Sequence, residues 1–575
     1  MCGIVGVVND KDASQVLLDG LLNLEYRGYD SAGIYLFPNI IVKTIERVAS
    51  LKTKVGELCS DIGIGHTRWA TTGIVSELNA HPHLSYNKKI TLVHNGIISN
   101  YKEIKDKLIT AGYSFYSETD SEVIANYIEY LLNEGLTINK VLEKVLKDLK
   151  GELAIIFSIK DDKGLYFLKR GSPLVIGKNN DSFYLASDIE AIKNKVKMTY
   201  YPNDLEFGYL NKDSASLFRH HKKINIPFVK EKNEFDKESK ENIDCYFKKE
   251  IEEQPEVIKR IKSYYIKDNK LKPEYQRISD DISRFNKVVL IGCGSSYNAA
   301  NLFKNYSDSD KFETHIGSEN LKINNNNCYI VISQSGETFD LIKTSKMIKK
   351  TGAKLIVLSN GKNSSLKRLS DEFLYMCALS EKSVAASKSY LASITILTLM
   401  LSKITNYDYF FKRINRAIRY MVKNEKELDS IALKISSLSS MYYIGKGEDK
   451  FLCDEGSLKL KEISYLHVES IYSGELKHGP IATINDSFGV LAISTDKKYE
   501  SRILTSLEEV KCRNAPCFLF STNSKISDVS FISGPKKLKS IGILIGLQIL
   551  SYKVAKILNR DIDKPKNLAK SVTVI

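Results

Sequence analysis

The chain contains 575 residues, of which 43% are apolar and 27% are charged. This length predicts about three to four domains, and the composition excludes both a single small module and a chain that is disordered throughout. Lysine and arginine exceed aspartate and glutamate by 84 − 69 = 15, which favours anionic partners such as phosphorylated small molecules. No basic block of the kind that binds nucleic acid occurs, so nucleic acid is not expected as a partner.

The cysteine pattern and the N-terminus bear on the compartment. The nine cysteines are odd in number, scattered and without a Cys-x-x-Cys pair, which argues against a disulfide framework or a zinc ribbon. The N-terminal sequence MCGIVGVVND has no basic region, and the longest apolar runs, near 394–401 and 541–550, are too short to span a bilayer. A cytoplasmic protein without a membrane partner is expected.

The first 220 or so residues mix short strand patterns, such as IVGVV and LAIIFSI, with helical patterns such as SEVIANYIEYLLNEG. This mixture predicts a layered α/β domain, expected over residues 2–225. The stretch VKEKNEFDKESKENI is almost wholly charged or polar and cannot bury a face. It predicts a linker, expected over 226–245.

Beyond the linker, two segments follow the same order of strand, Gly-containing turn and helix. The spacing from Ser333 to Ser359 is 359 − 333 = 26 residues, and that from Ser494 to Ser521 is 521 − 494 = 27 residues. The agreement favours a duplicated, doubly wound α/β domain. The two copies are expected over 246–425 and over 426–575 with a C-terminal tail. The alternative is that any two α/β units look alike at this level.

Cys2 directly follows the initiator Met. Removal of Met1, expected before so small a residue, would place a nucleophilic thiol and an α-amino group of pKa near 8 on one residue, which could then supply both nucleophile and general base. By position alone, a small buried hydrophobic role for Cys2 is the commoner alternative.

Five motifs then follow in order: EYRGYDSAG, GHTRWATTG, AHPH, HNGIISN and SETDSE. Together they resemble the glutaminase domain of N-terminal-nucleophile amidotransferases. The resemblance implies a layered αββα fold in which Cys2 attacks the carboxamide of glutamine, releases ammonia and forms a γ-glutamyl thioester that water hydrolyses. It also implies that Asn95 and the backbone amide of Gly96 stabilise the oxyanion.

The same resemblance assigns the glutamine-binding residues. Arg68 would bind the carboxylate of glutamine, Asp120 its ammonium, and Arg27 would lie beside the nucleophile. Trp69, the only tryptophan, would gate an ammonia channel.

Other residues of these motifs are less diagnostic. Thr72 departs from the family, in which related bacterial enzymes commonly carry His. His81 and His83 are interpreted as loop histidines, since third and fourth metal ligands are not apparent nearby.

The second half contains two motifs that suit a phosphate. GCGSSYN, over 292–298, and SQSGET, over 333–338, place small hydroxyl and Gly residues where a strand turns into a helix. Neither is a dinucleotide or Walker motif, and ordinary helix capping is the alternative. Both motifs resemble sugar isomerase (SIS) domains. The resemblance implies a phosphate site made of Ser296, Ser333, Gln334, Ser335 and Thr338, with an adjoining wall of Cys293, Gly294 and Ser295.

Three further segments carry candidate residues. SVAASKSY resembles a third sugar isomerase motif that includes Val384, although Ala386 replaces the usual Ser. In EGSLKLKEISYLHVE, Lys459 and Glu462 share a helix face, and Leu458, Ile463 and Leu466 are expected to face the core. The alternative for Lys459 and Glu462 is a solvated ion pair. By default, Lys570 would belong to a frayed terminus.

Taken together, the motifs resemble glutamine-dependent aminotransferases of ketohexose phosphates over essentially the whole chain. The resemblance implies that D-fructose 6-phosphate and L-glutamine become D-glucosamine 6-phosphate and L-glutamate in a homodimer, with ammonia channelled between the sites and no metal or pyridoxal phosphate. His478 of the neighbouring subunit would open the sugar ring, Lys570 would form a Schiff base, Glu462 would move a proton between C1 and C2, and Lys459 would assist. Two alternatives stay open: a sugar-phosphate-sensing regulator without catalysis, and another glutamine amidotransferase that uses phosphoribosyl pyrophosphate.

Overall fold

The structure is a computed structural model that describes residues 2–219, 222–230, 244–307 and 309–571. It contains two compact units. The described residues of the first unit lie between Cys2 and Lys230 and include Ser571 as well, and those of the second lie between 244 and Lys570. Residues 231–243, the centre of the expected linker, and residues 572–575, the end of the expected tail, lie outside the described residues.

Short strands and amphipathic helices alternate in the first unit. In chain order they are β1 (Gly3–Val8), α1 (Ala13–Leu24), β2 (Ser31–Leu36), β3 (Ile40–Thr44), α2 (Val48–Val55), β4 (Ile62–Arg68), β5 (His83–Leu84), β6 (Ile90–Ile98), α3 (Tyr101–Thr110), α4 (Asp120–Asn133), α5 (Ile138–Asp148), β7 (Gly151–Ile159), β8 (Gly164–Arg170), β9 (Val175–Asn179), β10 (Ser182–Ala186), β11 (Met198–Tyr200), β12 (Glu206–Asn211), β13 (Ala215–Arg219), β14 (Lys222–Ile224) and β15 (Val229–Lys230). Two 3₁₀ turns, Glu25–Arg27 and Ile189–Ala191, complete the unit.

These strands form two antiparallel sheets packed face to face. The eight-stranded sheet has the order β15-β11-β9-β10-β1-β4-β2-β3, and the seven-stranded sheet has the order β14-β13-β12-β8-β7-β6-β5. One hydrophobic core lies between the sheets, a second joins α1 and α2 to the eight-stranded sheet, and a third joins α4 and α5 to the seven-stranded sheet. The expected layered αββα fold is confirmed.

The first strand shows how the sequence specifies these layers. Val5 and Val7 pack in the core under α1, whereas Ile4 and Val8 pack between the sheets, because successive side chains of a strand point to opposite faces. A Cβ at Gly3 would lie 2.7 Å from Leu24 Cβ and 2.8 Å from Thr67 Oγ1, so only glycine fits directly after Cys2.

The second unit alternates parallel strands with helices. In chain order it contains α6 (Tyr246–Glu252), α7 (Gln254–Tyr265), β16 (Ile266–Lys267), β17 (Lys270–Leu271), α8 (Pro273–Ser283), β18 (Val288–Gly292), α9 (Ser295–Ser307), β19 (Phe312–Ile316), β20 (Cys328–Ser333), α10 (Phe339–Lys350), β21 (Lys354–Ser359), α11 (Ser365–Leu369), β22 (Glu372–Tyr375), α12 (Lys388–Leu401), α13 (Tyr407–Lys423), α14 (Asp429–Ser436), β23 (Ser440–Gly445), α15 (Asp449–Ser464), β24 (His467–Tyr472), β25 (Phe488–Ser494), α16 (Lys497–Lys511), β26 (Cys517–Ser521) and α17 (Ile541–Ile557). Four 3₁₀ turns occur as well: Glu425–Leu428, Glu475–Lys477, Pro480–Thr483 and Lys536–Leu538.

Two parallel sheets share one topology. The first has the order β19-β18-β20-β21-β22 and the second has the order β24-β23-β25-β26, so in each the first and third strands of the repeat are neighbours. The expected duplication of a doubly wound α/β domain is confirmed. The chain crosses over in opposite directions from these two neighbouring strands, and the crevice at their carboxyl ends is where such folds bind ligands. The motifs over 292–298 and 333–338 lie at this crevice in the first sheet.

The last helix is long and apolar. By length and composition, the segment Lys536–Ile557 could cross a membrane. This segment is longer than the apolar run at 541–550 in the sequence suggests. However, 78% of its most apolar window is buried within the protein, and α17 packs against α13, α14 and α15. The helix is therefore part of the core of the second unit.

Candidate active sites

The register between β1 and β4 brings Cys2 to a distant segment. Gly3 pairs with Thr67, and the thiol Sγ of Cys2 lies 3.7 Å from the carbonyl oxygen of Trp69. Burial raises the pKa of the Cys2 thiol, Arg68 opposes this shift, and Asp120 adds to it. Arg68 and Asp120 therefore lie within electrostatic reach of the thiol, which needs a proton acceptor before it can act as a nucleophile.

Asn95 and Gly96 lie on β6, which contacts β1. Asn95 is fully buried, and neither its Oδ1 nor its Nδ2 forms a hydrogen bond within the described residues. Buried amides without partners are rare in folded proteins, so this amide is a donor available to a ligand. Gly96 has φ 144°, and a Cβ there would lie 2.0 Å from the carbonyl oxygen of Glu152. Only glycine can occupy this position.

Arg68 and Asp120 are both buried and both ordered by backbone groups. The Arg68 guanidinium donates to the carbonyl oxygens of Thr72 at 2.5 Å, Gly73 at 3.1 Å and Ile74 at 3.1 Å. Asp120 begins α4, and its Oδ2 accepts the backbone N–H of Ile98 at 2.8 Å. Since Thr72 contributes its carbonyl oxygen, this contact does not depend on the side chain that departs from the family.

Arg27 lies at the end of the 3₁₀ turn Glu25–Arg27. Its guanidinium forms an ion pair with Asp188 at 2.7 Å, and its Nε donates to the hydroxyl of Tyr26 at 3.1 Å. Its Nη1 is buried and has no hydrogen-bond partner within the described residues. No hydrogen bond joins Arg27 to Cys2 in the part of the chain that the structure describes, so the place of Arg27 beside the nucleophile stays a prediction.

Four buried histidines support the elements that carry these residues. His66 stacks on His81 with ring centroids 3.8 Å apart, and His81 meets His83 edge to face at 4.5 Å. A ring nitrogen of His66 bonds the carbonyl oxygen of His94 at 3.1 Å, and His94 Nδ1 bonds the hydroxyl of Ser121 at 2.9 Å. The histidines thus link β4, β6 and the start of α4. His81 and His83, interpreted as loop histidines, belong to this core cluster.

The buried histidines predict that the first unit loses stability in acid. Burial lowers the pKa of all four below the ordinary value of 6.5. The folded state keeps them neutral while the unfolded state takes up protons below pH about 6.5, so the stability is present above that pH and is lost as pH falls. Each histidine contributes up to about 1.4 kcal/mol per pH unit. The measurement is denaturant unfolding followed by Trp69 fluorescence, which reports on the first unit alone, at pH 7.5 and 5.5.

Two variants provide the controls. His81→Phe keeps a stacking ring but removes one titrating group, and should reduce the pH dependence. His467→Gln changes a histidine of the second unit whose side chain is 62% exposed, and should leave it unchanged. A Trp69 unfolding midpoint that is the same at both pH values would contradict the prediction.

The hydroxyl-lined turns of the second unit are both built around glycines. Gly294, with φ 53°, precedes α9, and Gly336, with φ 71°, lies between β20 and α10. The hydroxyls of Ser333 and Thr338 lie 3.0 Å apart, and Ser333 Oγ accepts the backbone N–H of Gly336 at 3.0 Å. The turn after β20 therefore brings the first and last residues of its motif together.

The remaining residues of the two turns have local roles. Ser335 Oγ accepts the N–H of Glu337 at 3.1 Å, and the carbonyl oxygen of Gln334 accepts the N–H of Asn360 at 3.1 Å. Ser296 donates its N–H to the carbonyl oxygen of Cys293 at 3.1 Å, which closes the turn into α9.

A buried charged group connects α9 to α15. Glu455 accepts hydrogen bonds from Ser295 Oγ at 3.0 Å and from Asn298 Nδ2 at 2.9 Å. Lys459 Nζ lies 3.6 Å from Glu455 Oε1 and 2.5 Å from Glu462 Oε2. The pKa of Glu455 rises to about 7 because of burial, despite Lys459 and the two hydrogen bonds. Burial lowers the pKa of Lys459, but the carboxylates of Glu462, Glu455 and Glu381 more than offset it.

The faces of α15 differ in part from the expectation. Lys459 is 1% exposed, so its pair with Glu462 is not a solvated surface pair. Ile463 is buried as expected, and Leu466, which follows the helix, is partly buried and packs against the core. Leu458, however, is only partly buried, and Leu460 lies in the core. The helix is covered on more than one face, by α9, α17 and the sheet, which a single apolar stripe does not reveal. The sequence reasoning does not single out Glu455, although Glu455 stands four residues before Lys459 and this i, i+4 spacing on a helix indicates a contact between the two side chains.

The C-terminal tail returns to the third motif. Lys570 Nζ lies 2.7 Å from Glu381 Oε2, and these side chains are 4% and 0% exposed. The N–H of Val384 donates to the carbonyl oxygen of Asp563 at 3.0 Å. Lys570 is therefore held in place rather than frayed. Ala386 is half-buried in the same loop, and no described contact accounts for the loss of the usual serine.

His478 is exposed after the turn Glu475–Lys477. Among the described residues of this single chain, its side chain forms no hydrogen bond or ion pair, so the structure does not bring it to Lys459, Glu462 or Lys570. The described residues also contain no group of three or more His, Cys, Asp or Glu side chains placed to hold a metal ion.

In the second repeat, a side chain of the chain itself occupies the turn that follows β25. Asp449, at the start of α15, is buried and accepts both the N–H of Thr495 at 2.8 Å and its hydroxyl at 2.5 Å. Thr495 follows β25 as Gln334 follows β20.

Comparison with known proteins assigns a class to both units. A model of the glutamine amidotransferase domain matches residues 66–194, and a model of the SIS domain matches residues 281–403 and 434–530. The chain is therefore a glutamine amidotransferase domain joined to two SIS domains.

Full-length relatives narrow this class. The chain is 36% identical over 609 residues to glutamine–fructose-6-phosphate aminotransferase (isomerizing) of Caldanaerobacter subterraneus subsp. tengcongensis, and 35% identical over 613 residues to that of Thermococcus kodakarensis, each match covering 100% of both chains. The C-terminal domain of glucosamine-fructose-6-phosphate aminotransferase from Francisella tularensis matches with a TM-score of 0.53 and 29% identity, covering 57% of this chain and 100% of that one. The chain belongs to the glutamine–fructose-6-phosphate aminotransferase (isomerizing) family.

The geometry of Gly96 predicts that Gly96→Ala disables the first site. The added methyl would overlap the Glu152 carbonyl, shift β6 and displace the Asn95 amide. Loss of one oxyanion donor typically costs about 10²-fold in rate, so glutamine hydrolysis should fall at least that far. The assay is glutamate release from glutamine.

Gly112→Ala is the matched control. Gly112 has φ 88°, so the same backbone strain applies, but no atom lies within 4 Å of its added Cβ. Gly112→Ala should therefore retain glutamine hydrolysis. Equal activities in the two variants would show that the close approach to Glu152 is unimportant.

Proposed function

We propose that this protein converts D-fructose 6-phosphate and L-glutamine to D-glucosamine 6-phosphate and L-glutamate. The observation that carries the proposal is the presence, on one chain with full-length family similarity, of a partly buried thiol within electrostatic reach of Arg68 and Asp120 and of a buried Lys570 side chain within the SIS unit. The buried Lys459 and its partly buried partner Glu462 favour catalysis over a sugar-sensing regulator, because burying charged groups is costly.

The glutaminase step uses the first site. The Cys2 thiol gives its proton to a base, for which the α-amino group of a chain that begins at Cys2 is suited, and its sulfur attacks the carboxamide carbon. The Asn95 amide and the backbone N–H of Gly96 stabilise the oxyanion. The base returns this proton to the carboxamide nitrogen, the C–N bond breaks and ammonia leaves. Water then hydrolyses the γ-glutamyl thioester to glutamate and free thiol.

Charge complementarity assigns the substrate contacts. Arg68 binds the α-carboxylate of glutamine and Asp120 its ammonium. Trp69, whose carbonyl oxygen lies beside the thiol, guards the exit of ammonia. Arg27, which is paired with Asp188, lies beside the nucleophile.

The isomerase step uses the second unit. The turns over 292–296 and 333–338 bind the phosphate through hydroxyl and amide groups, with Val384 contributing to the sugar pocket. Lys570 forms an imine with C2 of the open-chain ketose, and water leaves. Ammonia then adds to C2 and displaces the amino group of Lys570, which leaves C2 as an imine of ammonia. The imine makes the C1 proton more acidic, so Glu462 can transfer it between C1 and C2, while Lys459 stabilises the developing charge.

The assembly belongs to the same proposal. His478 is exposed, and its side chain makes no hydrogen bond or ion pair with the other catalytic candidates among the described residues. This supports a homodimer in which His478 of the partner subunit opens the sugar ring. The substrates are small cytoplasmic metabolites, and we propose that the enzyme acts in the cytoplasm.

The test of the two-site assignment is Cys2→Ala. The variant should lose glutamine hydrolysis by about 10³-fold or more, because the nucleophile is gone, and should retain isomerisation of fructose 6-phosphate. Cys59→Ala, which changes an exposed free cysteine of the same unit, is the matched control and should keep both activities. Phosphoribosyl pyrophosphate replaces fructose 6-phosphate in a parallel assay. Amination of phosphoribosyl pyrophosphate by the wild-type enzyme would contradict the proposal. Hydrolysis of glutamine by Cys2→Ala would contradict it as well.

Ammonia transfer predicts a specific defect in Trp69→Ala. Free ammonia is mostly protonated at neutral pH and is then no nucleophile, so a guarded exit keeps the reaction coupled. The variant should release several molecules of glutamate for each molecule of glucosamine 6-phosphate, whereas Trp69→Phe should stay near equal amounts. Full coupling in Trp69→Ala would remove the gating role.

A further inference from the structure

Two buried lysines of the second unit lie where the tail meets the third motif. The side chains of Lys570 and Lys388 are 4% and 3% exposed. Each has its own carboxylate: Lys570 Nζ lies 2.7 Å from Glu381, and Lys388 Nζ lies 2.8 Å from Glu253. A third carboxyl group, that of Glu250, is buried nearby.

Glu381 is the most highly ordered of these carboxylates. Its Oε1 accepts the backbone N–H groups of Ser387 and Ser389, both at 3.0 Å. Its Oε2 accepts the hydroxyl of Ser389 at 2.7 Å together with the ammonium of Lys570. Burial alone would raise the pKa of Glu381, but Lys570 and these hydrogen bonds lower it to about 2. Glu381 is therefore an anion at every physiological pH.

Glu250 cannot take its place. Its Oε1 accepts the N–H groups of Lys382 and Ser383, and its Oε2 has no hydrogen-bond partner within the described residues. Burial and the neighbouring Glu381 raise the pKa of Glu250 to about 8, so at neutral pH it is mostly protonated and supplies little charge to Lys570.

This arrangement has a chemical consequence for Lys570. An ammonium has no lone pair, so it must lose a proton before its nitrogen can attack the C2 carbonyl and before the carbonyl oxygen can leave as water. A 2.7 Å contact with a buried carboxylate fixes the position of the Lys570 side chain. Glu381 is held by Ser387 and Ser389, which belong to the same 383–390 segment as Val384.

We propose that Glu381 is the positioning residue for Lys570: it holds the ammonium in the sugar-free enzyme and releases it when the sugar phosphate engages the 383–390 segment. This inference rests on the proposed function, because it assumes that Lys570 forms the imine. Glu381 itself does not touch the reacting carbon.

The first experiment needs no sugar. Full-length protein at pH 7.5 is acetylated with limiting acetic anhydride, and each lysine is quantified by peptide mass spectrometry relative to exposed Lys52. In Glu381→Gln, Lys570 should react about tenfold faster than in wild type, because its amine is no longer held by a buried carboxylate, while Lys388 should not change. Glu253→Gln is the matched control. In that variant Lys388 should react faster than in wild type, and the reactivity of Lys570 should not change.

The outcomes separate positioning from general loosening of the structure. Equal acceleration of Lys388 and Lys570 in Glu381→Gln, or no acceleration of Lys570, would overturn the proposal. Glu381→Asp keeps the charge and should restore slow labelling. If Glu381→Gln fails to fold, Ser389→Ala removes one hydrogen bond to Glu381 and should give an intermediate acceleration of Lys570. No acceleration in that variant would overturn the proposal as well.

The second experiment tests the use of this contact. Borohydride reduction with fructose 6-phosphate should trap an imine on Lys570 of wild type, and Glu381→Gln should form it about tenfold more slowly, because a freed side chain is poorly aimed at a fixed carbon. If Glu381→Gln forms the trapped imine at the wild-type rate, the positioning role of Glu381 is wrong. If Lys570→Ala still forms a trapped imine, the proposed function of Lys570 is wrong, and that result is independent of the acetylation pattern.

Discussion

The pairing of buried lysines with buried carboxylates is the constraint on which the second unit depends. Moving an ammonium from water into a protein interior costs several kcal/mol unless a counter-charge and hydrogen bonds compensate. Lys459 meets this requirement with Glu455 and Glu462 on its own helix. Lys570 meets it with Glu381, 189 residues away in sequence. The charged groups therefore join α9, α15, the third motif and the tail.

The first unit achieves its arrangement by other means. The β1 and β4 register sets the distance between Cys2 and Trp69, and a steric requirement for glycine at position 96 fixes β6. Backbone carbonyl groups rather than acids hold the Arg68 guanidinium. Because these contacts are largely made by the main chain, the site is preorganised before glutamine binds, which is what oxyanion stabilisation requires.

The sequence predicts the fold class and the repeat well, because strand alternation, glycine turns and motif order are local features. Local pattern also places Lys459 and Glu462 on one helical face. It does not reveal that Glu381 pairs with Lys570 or that four histidines share one core, since these contacts join segments far apart in the chain. The burial of Leu460 rather than Leu458 depends on how many elements surround α15, which a single helix does not report.

The contact between Asp449 and Thr495 bears on what the second repeat can offer to an anion. In this repeat, the amide and hydroxyl that follow β25 are already occupied by a carboxyl group of the chain itself. An incoming phosphate would meet this side chain instead of free donors. The corresponding turn after β20 presents the hydroxyls of Ser333 and Thr338, so the same position of the fold differs between the two repeats.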